Sequence, residues 1–245
     1  NPDYSKINGI ILNDTNGILK TPKHPRMKDL DVIPSPYLTG FFEKLIMDYP
    51  DVKFHATWES NRGCPFRCSF CDWGGLTYQK VKIFDIDRCK DEITYIADKK
   101  MFAMWISDAN FGIFKKRDIE LAQHLVDVYK KEGYPEFFPT LGYAKTPPKK
   151  NGVAEIQKLI REALPFDKTP SPRVAIQSFD HDTLANIRRD NLSIADLDLI
   201  VDNQKQNDVP FEVELIIPLP GMTYNSFVSD WEYFLQNDSS DGMIY

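Results

Sequence analysis

Asn61-Arg62-Gly63-Cys64-Pro65-Phe66-Arg67-Cys68-Ser69-Phe70-Cys71-Asp72-Trp73-Gly74 is the most informative stretch of the chain. Its cysteines are spaced Cys-x3-Cys-x2-Cys. Three of the four cysteines in 245 residues stand within the eight positions 64–71. That is a poor disulfide framework and a good ligand cluster. Thiolates are soft ligands suited to iron-sulfur chemistry, so three on one loop can converge on one inorganic cluster. Four cysteines would saturate a four-iron cluster. With no fourth nearby, one iron keeps an open position, which chemistry at a metal requires. A structural zinc loop is the rival reading, with His55 as the nearest histidine; a ferredoxin-like carrier lacks its usual fourth ligand. Thiolates that hold a metal must stay reduced, so the cytoplasm is the expected compartment.

On both sides of this loop the chain alternates strand and helix. Ala56 to Ser60 reads as a strand leading into it. Asp85 to Lys99, Asp118 to Lys131, the segment around Ile156 to Ala163, Leu184 to Arg188, Ile194 to Gln206 and Asn225 to Gln236 carry apolar residues at helical spacing. Met101 to Ser107, Phe137 to Tyr143, Arg173 to Ser178 and Val213 to Ile217 read as four more strands. Such alternation implies an α/β fold with a parallel sheet and right-handed crossovers. In barrels of this kind function sits at the carboxyl ends of the strands.

The first fifty residues differ. Two apolar runs flank Asn16-Gly17, a hairpin signal. A connector with Pro22, Pro25, Pro34 and Pro36 follows, then a short helix within Leu38 to Tyr49. We therefore divide the chain into 1–50, a hairpin, linker and helix, and 51–245, the barrel. Hydrophobic residues make up 42% and aromatics 13%, enough for a sizeable core. The net charge of −6, without a basic stripe, disfavours nucleic acid as a partner. No apolar run is long enough for a membrane span. The first residue is not Met, which fits a fragment.

The three-cysteine loop, with the aromatic Phe70 before the third cysteine, resembles the radical SAM superfamily, and the alternating pattern from about residue 55 onward agrees. The resemblance implies a partial (β/α) barrel, a 4Fe-4S cluster on Cys64, Cys68 and Cys71, and S-adenosylmethionine cleaved to a 5′-deoxyadenosyl radical. It places Phe70 near the adenine. It puts Asp108 and Asn110, where the family often has Gly-Gly-Glu, near the methionine amino group; both residue types also favour turns and caps. It puts Gln177 and Ser178 at the ribose, and Arg189, in Leu184-x-x-Ile187-x-Arg189, on the methionine carboxylate. Arg188 and Arg189 also fit solvated charges near a helix end. Ile216 and Pro218 would border the adenine, although Pro218 and Pro220 also simply end a strand. The family barrel has six strands and five are visible here, so a shortened carboxyl end is expected.

Ile33 to Gly40 resembles the linker of radical SAM proteins that carry an N-terminal cobalamin-binding domain. The cobalamin-ligating Asp-x-His-x-x-Gly pattern is absent, which leaves cobalamin to a full-length parent. A small-molecule or peptidic substrate and an electron donor such as flavodoxin or ferredoxin complete the implied partners. Three functions stay open: hydrogen abstraction, methyl or methylthio transfer, and a non-catalytic metal-binding module. Cys89 lies on a helical apolar stripe and reads as a buried inert thiol. His24, His124 and His181 lack partner spacing, and Trp58, Trp73 and Trp105 read as packing. Tyr143 and Lys145 carry no distinguishing signal.

Overall fold

A computed structural model describes residues 3–14, 17–25, 27–71, 80–137, 141–142, 146–165, 172–206, 212–236 and 243–244. The expected hairpin forms: β1 (Ile11–Asp14) pairs antiparallel with β2 (Gly17–Lys20), joining the two apolar runs. Asn16, Trp73, Tyr143 and Lys145 lie outside the described residues. The expected first helix shrinks to α1 (Glu43–Asp48). Its apolar spacing overstated it, because Phe41 is 76% exposed and only Phe42 and Ile46 turn toward the core.

Parallel strands then follow in chain order. β3 (His55–Trp58) pairs with β6 (Ala103–Ile106), with Trp58 opposite Ile106. A bridge from Ala103 to Phe137 carries the sheet toward β7 (Leu141–Gly142). β7 pairs with β8 (Pro172–Gln177), β8 with β9 (Glu212–Leu215), and β9 with β10 (Met243–Ile244). β10 corrects the expectation of five strands: among the described residues it is the sixth parallel strand, and its two residues are too short a run to show periodicity. The barrel is open, because no ladder joins β10 back to β3 among the described residues.

Helices cover one face of the sheet, and sequence explains where they start and stop. α2 (Ile86–Asp98) opens on Asp85, whose carboxylate accepts from the N–H groups of Asp87 and Arg88, and it buries Cys89, Ile93, Ile96 and Ala97 on one stripe. α3 (Lys115–Glu132) stops at Gly133, whose left-handed φ of +75° ends the helix without a Cβ penalty. α4 (Val153–Ala163) sets Ile156 and Ile160 against α3. α5 (His181–Asn186), α6 (Ile194–Gln206) and α7 (Tyr224–Gln236) complete the layer.

Ala56, Trp58 and Met104 pack into one core with α2 to α4, and Val174, Ile176, Val213 and Leu215 into a second with Leu197, Ile200 and Phe234. Alternate strand residues on the other face, such as Thr57, Trp105 and Glu214, stay partly or fully exposed on the concave side. The early segment joins the first core: Leu30 and Tyr37 are buried, and the Tyr37 hydroxyl donates to the Thr57 carbonyl at 2.6 Å. No described helix is long and apolar enough to cross a membrane.

Candidate metal centre

The three-cysteine loop leaves the carboxyl end of β3 through a short antiparallel ribbon, β4 (Asn61–Arg62) against β5 (Lys82–Ile83). Two residues a side leave no sequence pattern, and this ribbon was not expected. Gly63 lies where the ribbon opens into the loop. Its φ is +122°, and a Cβ there would meet the Val81 Cα at 3.0 Å and the Lys80 carbonyl oxygen at 3.2 Å. Only glycine suits that position.

Asp108, just past β6, holds the start of the loop. Its carboxylate accepts from the Ser60 N–H (2.7 Å), the Ser60 hydroxyl (2.5 Å), the Asn61 N–H (3.1 Å) and the Asn61 Nδ2 (2.6 Å). Burial outweighs these donors and pushes its pKa up to about 7. The sequence expectation put this carboxylate on a methionine ammonium; in the structure it takes the backbone and side-chain donors of Ser60 and Asn61 at the start of the loop.

Behind it stands Arg117, at the start of α3, a residue that no sequence motif marks. Its Nη1 donates to the Ser60 hydroxyl and to Asp118, and its Nη2 to the Ser60 and Phe84 carbonyls and the Cys89 sulfur. Asp118 is fully buried and also accepts from the Gly112 and Phe114 N–H groups.

The raised carboxyl pKa has a measurable consequence. A folded-state value near 7 against an unfolded value near 4 means that the folded chain binds the extra proton between those limits. Stability contributed by protonated Asp108 is therefore present in acid and lost as pH rises from about 4 to about 7. Asp108→Asn should flatten the fall in unfolding free energy over that window, measured by urea titration at each pH. An unchanged slope would contradict the assignment.

Cys64 and Cys68 are buried and Cys71 is partly so. Two of the sulfurs receive donors from elsewhere in the fold. The buried Asn110 points Nδ2 at the Cys64 sulfur, 3.5 Å away. Arg189, only 6% exposed, points Nη1 at the Cys68 sulfur at 3.7 Å. Its Nε donates to Asn191 at 3.1 Å and its Nη2 to the Ala175 carbonyl. Burial lowers the Arg189 pKa, while Cys68, Glu214 and Cys71 raise it, so both cysteines lie within its electrostatic reach.

The loop is also tied to this arginine's turn, because the Ser69 N–H donates to the Ile187 carbonyl at 2.8 Å. Arg188 is exposed, in a left-handed φ of +51° that turns the next residue inward. Among the described residues no three His, Cys, Asp or Glu side chains gather closely enough to hold a metal ion. A cubane spreads its thiolates more widely than one ion does, and N–H donors aimed at sulfur suit thiolates. The donor set thus fits an iron-sulfur cluster. The zinc alternative fits poorly: His55 is exposed at the opposite end of β3, its ring 5.4 Å from that of Phe102.

The remaining expected residues separate. Gln177 ends β8 with a φ of +70°, is 5% exposed, and its Oε1 has no hydrogen-bond partner. A left-handed backbone and a buried acceptor without a partner set this residue apart from its neighbours on the strand. Ser178 does not share this role, because its hydroxyl donates to Asp230 on α7 at 2.6 Å and accepts from the Asp180 N–H at 3.1 Å. Asp230 is buried and also holds the Phe179 N–H, although in the sequence it stands as one more charge in a helix. Phe70 is 37% exposed on the loop, and Ile216 is half-buried just past β9. Pro218 is exposed. Cys89 is fully buried, and burial pushes its thiol up to about 12, as an inert thiol requires. His124 bonds Thr94 and the Lys90 carbonyl within the helix layer.

No family model matches the chain. It is 32% identical over 228 residues to the cobalamin-dependent radical SAM methyltransferase TokK of Streptomyces tokunonensis, covering 92% of this chain and 32% of that protein. It is 31% identical over 229 residues, with the same coverage, to 2-(S-pantetheinyl)-carbapenam-3-carboxylate methyltransferase of Streptantibioticus cattleyicolor. The chain thus spans about a third of the length of these curated relatives. Among solved structures, the radical S-adenosylmethionine methyltransferase TsrM of Kitasatospora setae superposes with a TM-score of 0.67 at 14% identity, over 99% of this chain and 46% of that one. That likeness concerns the fold alone, while the match to the two curated relatives extends over 92% of this chain. Its homologues are thus cobalamin-dependent radical SAM methyltransferases, and the chain looks like their radical SAM domain.

Proposed function

We propose that this chain binds a 4Fe-4S cluster through Cys64, Cys68 and Cys71 and uses it to cleave S-adenosylmethionine. The observation that carries the reading is the pair of buried N–H donors, Asn110 and Arg189, aimed at two of the three loop sulfurs. When bound, such a cluster supplies the electron that breaks a sulfur–carbon bond of S-adenosylmethionine, releasing methionine and a 5′-deoxyadenosyl radical. The protein's part is placement. Gln177 offers its unpaired Oε1 to a ribose hydroxyl, while Phe70 and Ile216 flank the adenine with apolar surface. Asp108 and Arg117 fix the loop from behind. The open concave face accepts a small-molecule substrate, and an electron donor such as flavodoxin or ferredoxin serves the cluster.

A second reading, methyl transfer with cobalamin, is favoured by the names of the two curated relatives. One experiment addresses both. Anaerobically reconstituted protein with dithionite and S-adenosylmethionine is expected to release 5′-deoxyadenosine. Release of S-adenosylhomocysteine only when cobalamin is added would favour methyl transfer. If neither product forms on protein that carries four irons per chain, both readings fail.

A further inference from the structure

We propose that Asn110 and Arg189 are positioning residues that set the reduction potential of the cluster site by acting on the Cys64 and Cys68 sulfurs. This inference rests on the function proposed above. Both side chains are buried, Asn110 at 3.5 Å from the first sulfur and Arg189 at 3.7 Å from the second. Arg189 is not free to swing away. The guanidinium is fixed by the Ala175 carbonyl and by Asn191, and its turn is pinned to the loop through Ser69 and Ile187.

The charge argument follows from burial. One electron from a reductant such as dithionite adds one negative charge to the loaded site; no bond forms or breaks and no proton moves. A buried guanidinium beside a thiolate ligand stabilises the more negative state, because the surrounding low dielectric leaves the interaction poorly screened. A carboxamide N–H aimed at sulfur acts in the same direction with a smaller charge. Hydrogen bonds to the sulfurs and nearby charge are among the levers that set iron-sulfur potentials. Both residues therefore raise the potential and bring the site within reach of a biological donor. Glu214, the carboxylate that also acts on Arg189, is drawn off in part by Arg173 at 3.9 Å.

The test is a redox titration of reconstituted protein without S-adenosylmethionine, read by electron paramagnetic resonance, with iron and sulfide counted. Arg189→Gln and Asn110→Leu should each titrate at a more negative midpoint than the parent protein, and the double variant lower still. Arg189→Lys, which keeps the charge, should recover most of the shift. If the variants load fully and titrate at the parent midpoint, the inference is overturned. Were Arg189 solely a partner for the methionine carboxylate, its midpoint would be unchanged and only S-adenosylmethionine binding would weaken, which also overturns it. Variants with parent-like circular dichroism but no iron would make both residues assembly determinants, again overturning it. A parent protein that loads no cluster would instead sink the proposed function itself.

Discussion

Cys68→Ala is expected to leave the protein folded and to abolish both cluster binding and S-adenosylmethionine cleavage. The side chain is small and its methylene contributes little core area, so the stability cost should stay within about 1–2 kcal/mol. The chemical cost is larger. A cluster held by two protein thiolates lacks the ligand set that three cysteines supply, and Arg189 would face a methyl group instead of a sulfur. Iron content should fall to near zero and 5′-deoxyadenosine to below detection. The control is Cys89→Ala, the same change in a thiol that lies on α2 behind the loop. That variant should keep its iron and its activity, with a modest loss of stability from a small cavity. Equal iron loss in both variants would show that any cysteine change disrupts the fold, and would remove the basis for assigning the ligands.

The cysteine loop was legible because its chemistry is carried by residue type and spacing, which do not depend on the rest of the fold. The strands and helices were legible for a related reason. Ile93, Ile96, Leu121, Leu125, Ile156 and Ile160 repeat at the helical period because each helix must bury one stripe. What stayed hidden depends on contacts across the chain. The β4–β5 ribbon and β10 are too short to carry a period. Arg117 and Asp118 read as charges in a helix's first turn, where solvated side chains are common, yet they lie under the cysteine loop. Asp230 sits in an otherwise amphipathic helix, and nothing local tells that its carboxylate takes the Ser178 hydroxyl. Asp108 and Asn110 were picked out for position and type, but sequence could not say which one would face Asn61 and which would face Cys64. Arg189 was found through a resemblance, and only the fold shows its guanidinium against a sulfur.

Arg117→Met should lower stability by about 3 kcal/mol, the low end of the range for breaking a buried pair. The side chain is largely buried, and Asp118 beside it is fully so. Methionine fills much of the volume, so the cost comes from polar groups left behind rather than from a void. Removing the guanidinium leaves the Phe84 and Ser60 carbonyls without that donor and strips Asp118 of its cation. The loss stays near the low end because Asp118 keeps two backbone donors, from Gly112 and Phe114. For a chain of this length that corresponds to a fall in Tm of about 6–12 °C. Arg117→Lys restores the charge but cannot reach Ser60, Phe84 and Asp118 together, since one ammonium replaces a planar fork. It should recover less than half of the loss. Because Ser60 is also the residue that Asp108 grips, cluster loading should fall more steeply with temperature in Arg117→Met than in the parent. Melting by circular dichroism and iron retention after stepwise warming give the two measurements. A Tm within 2 °C of the parent would mean that the guanidinium reaches water in solution and that the loop is held by Asp108 alone.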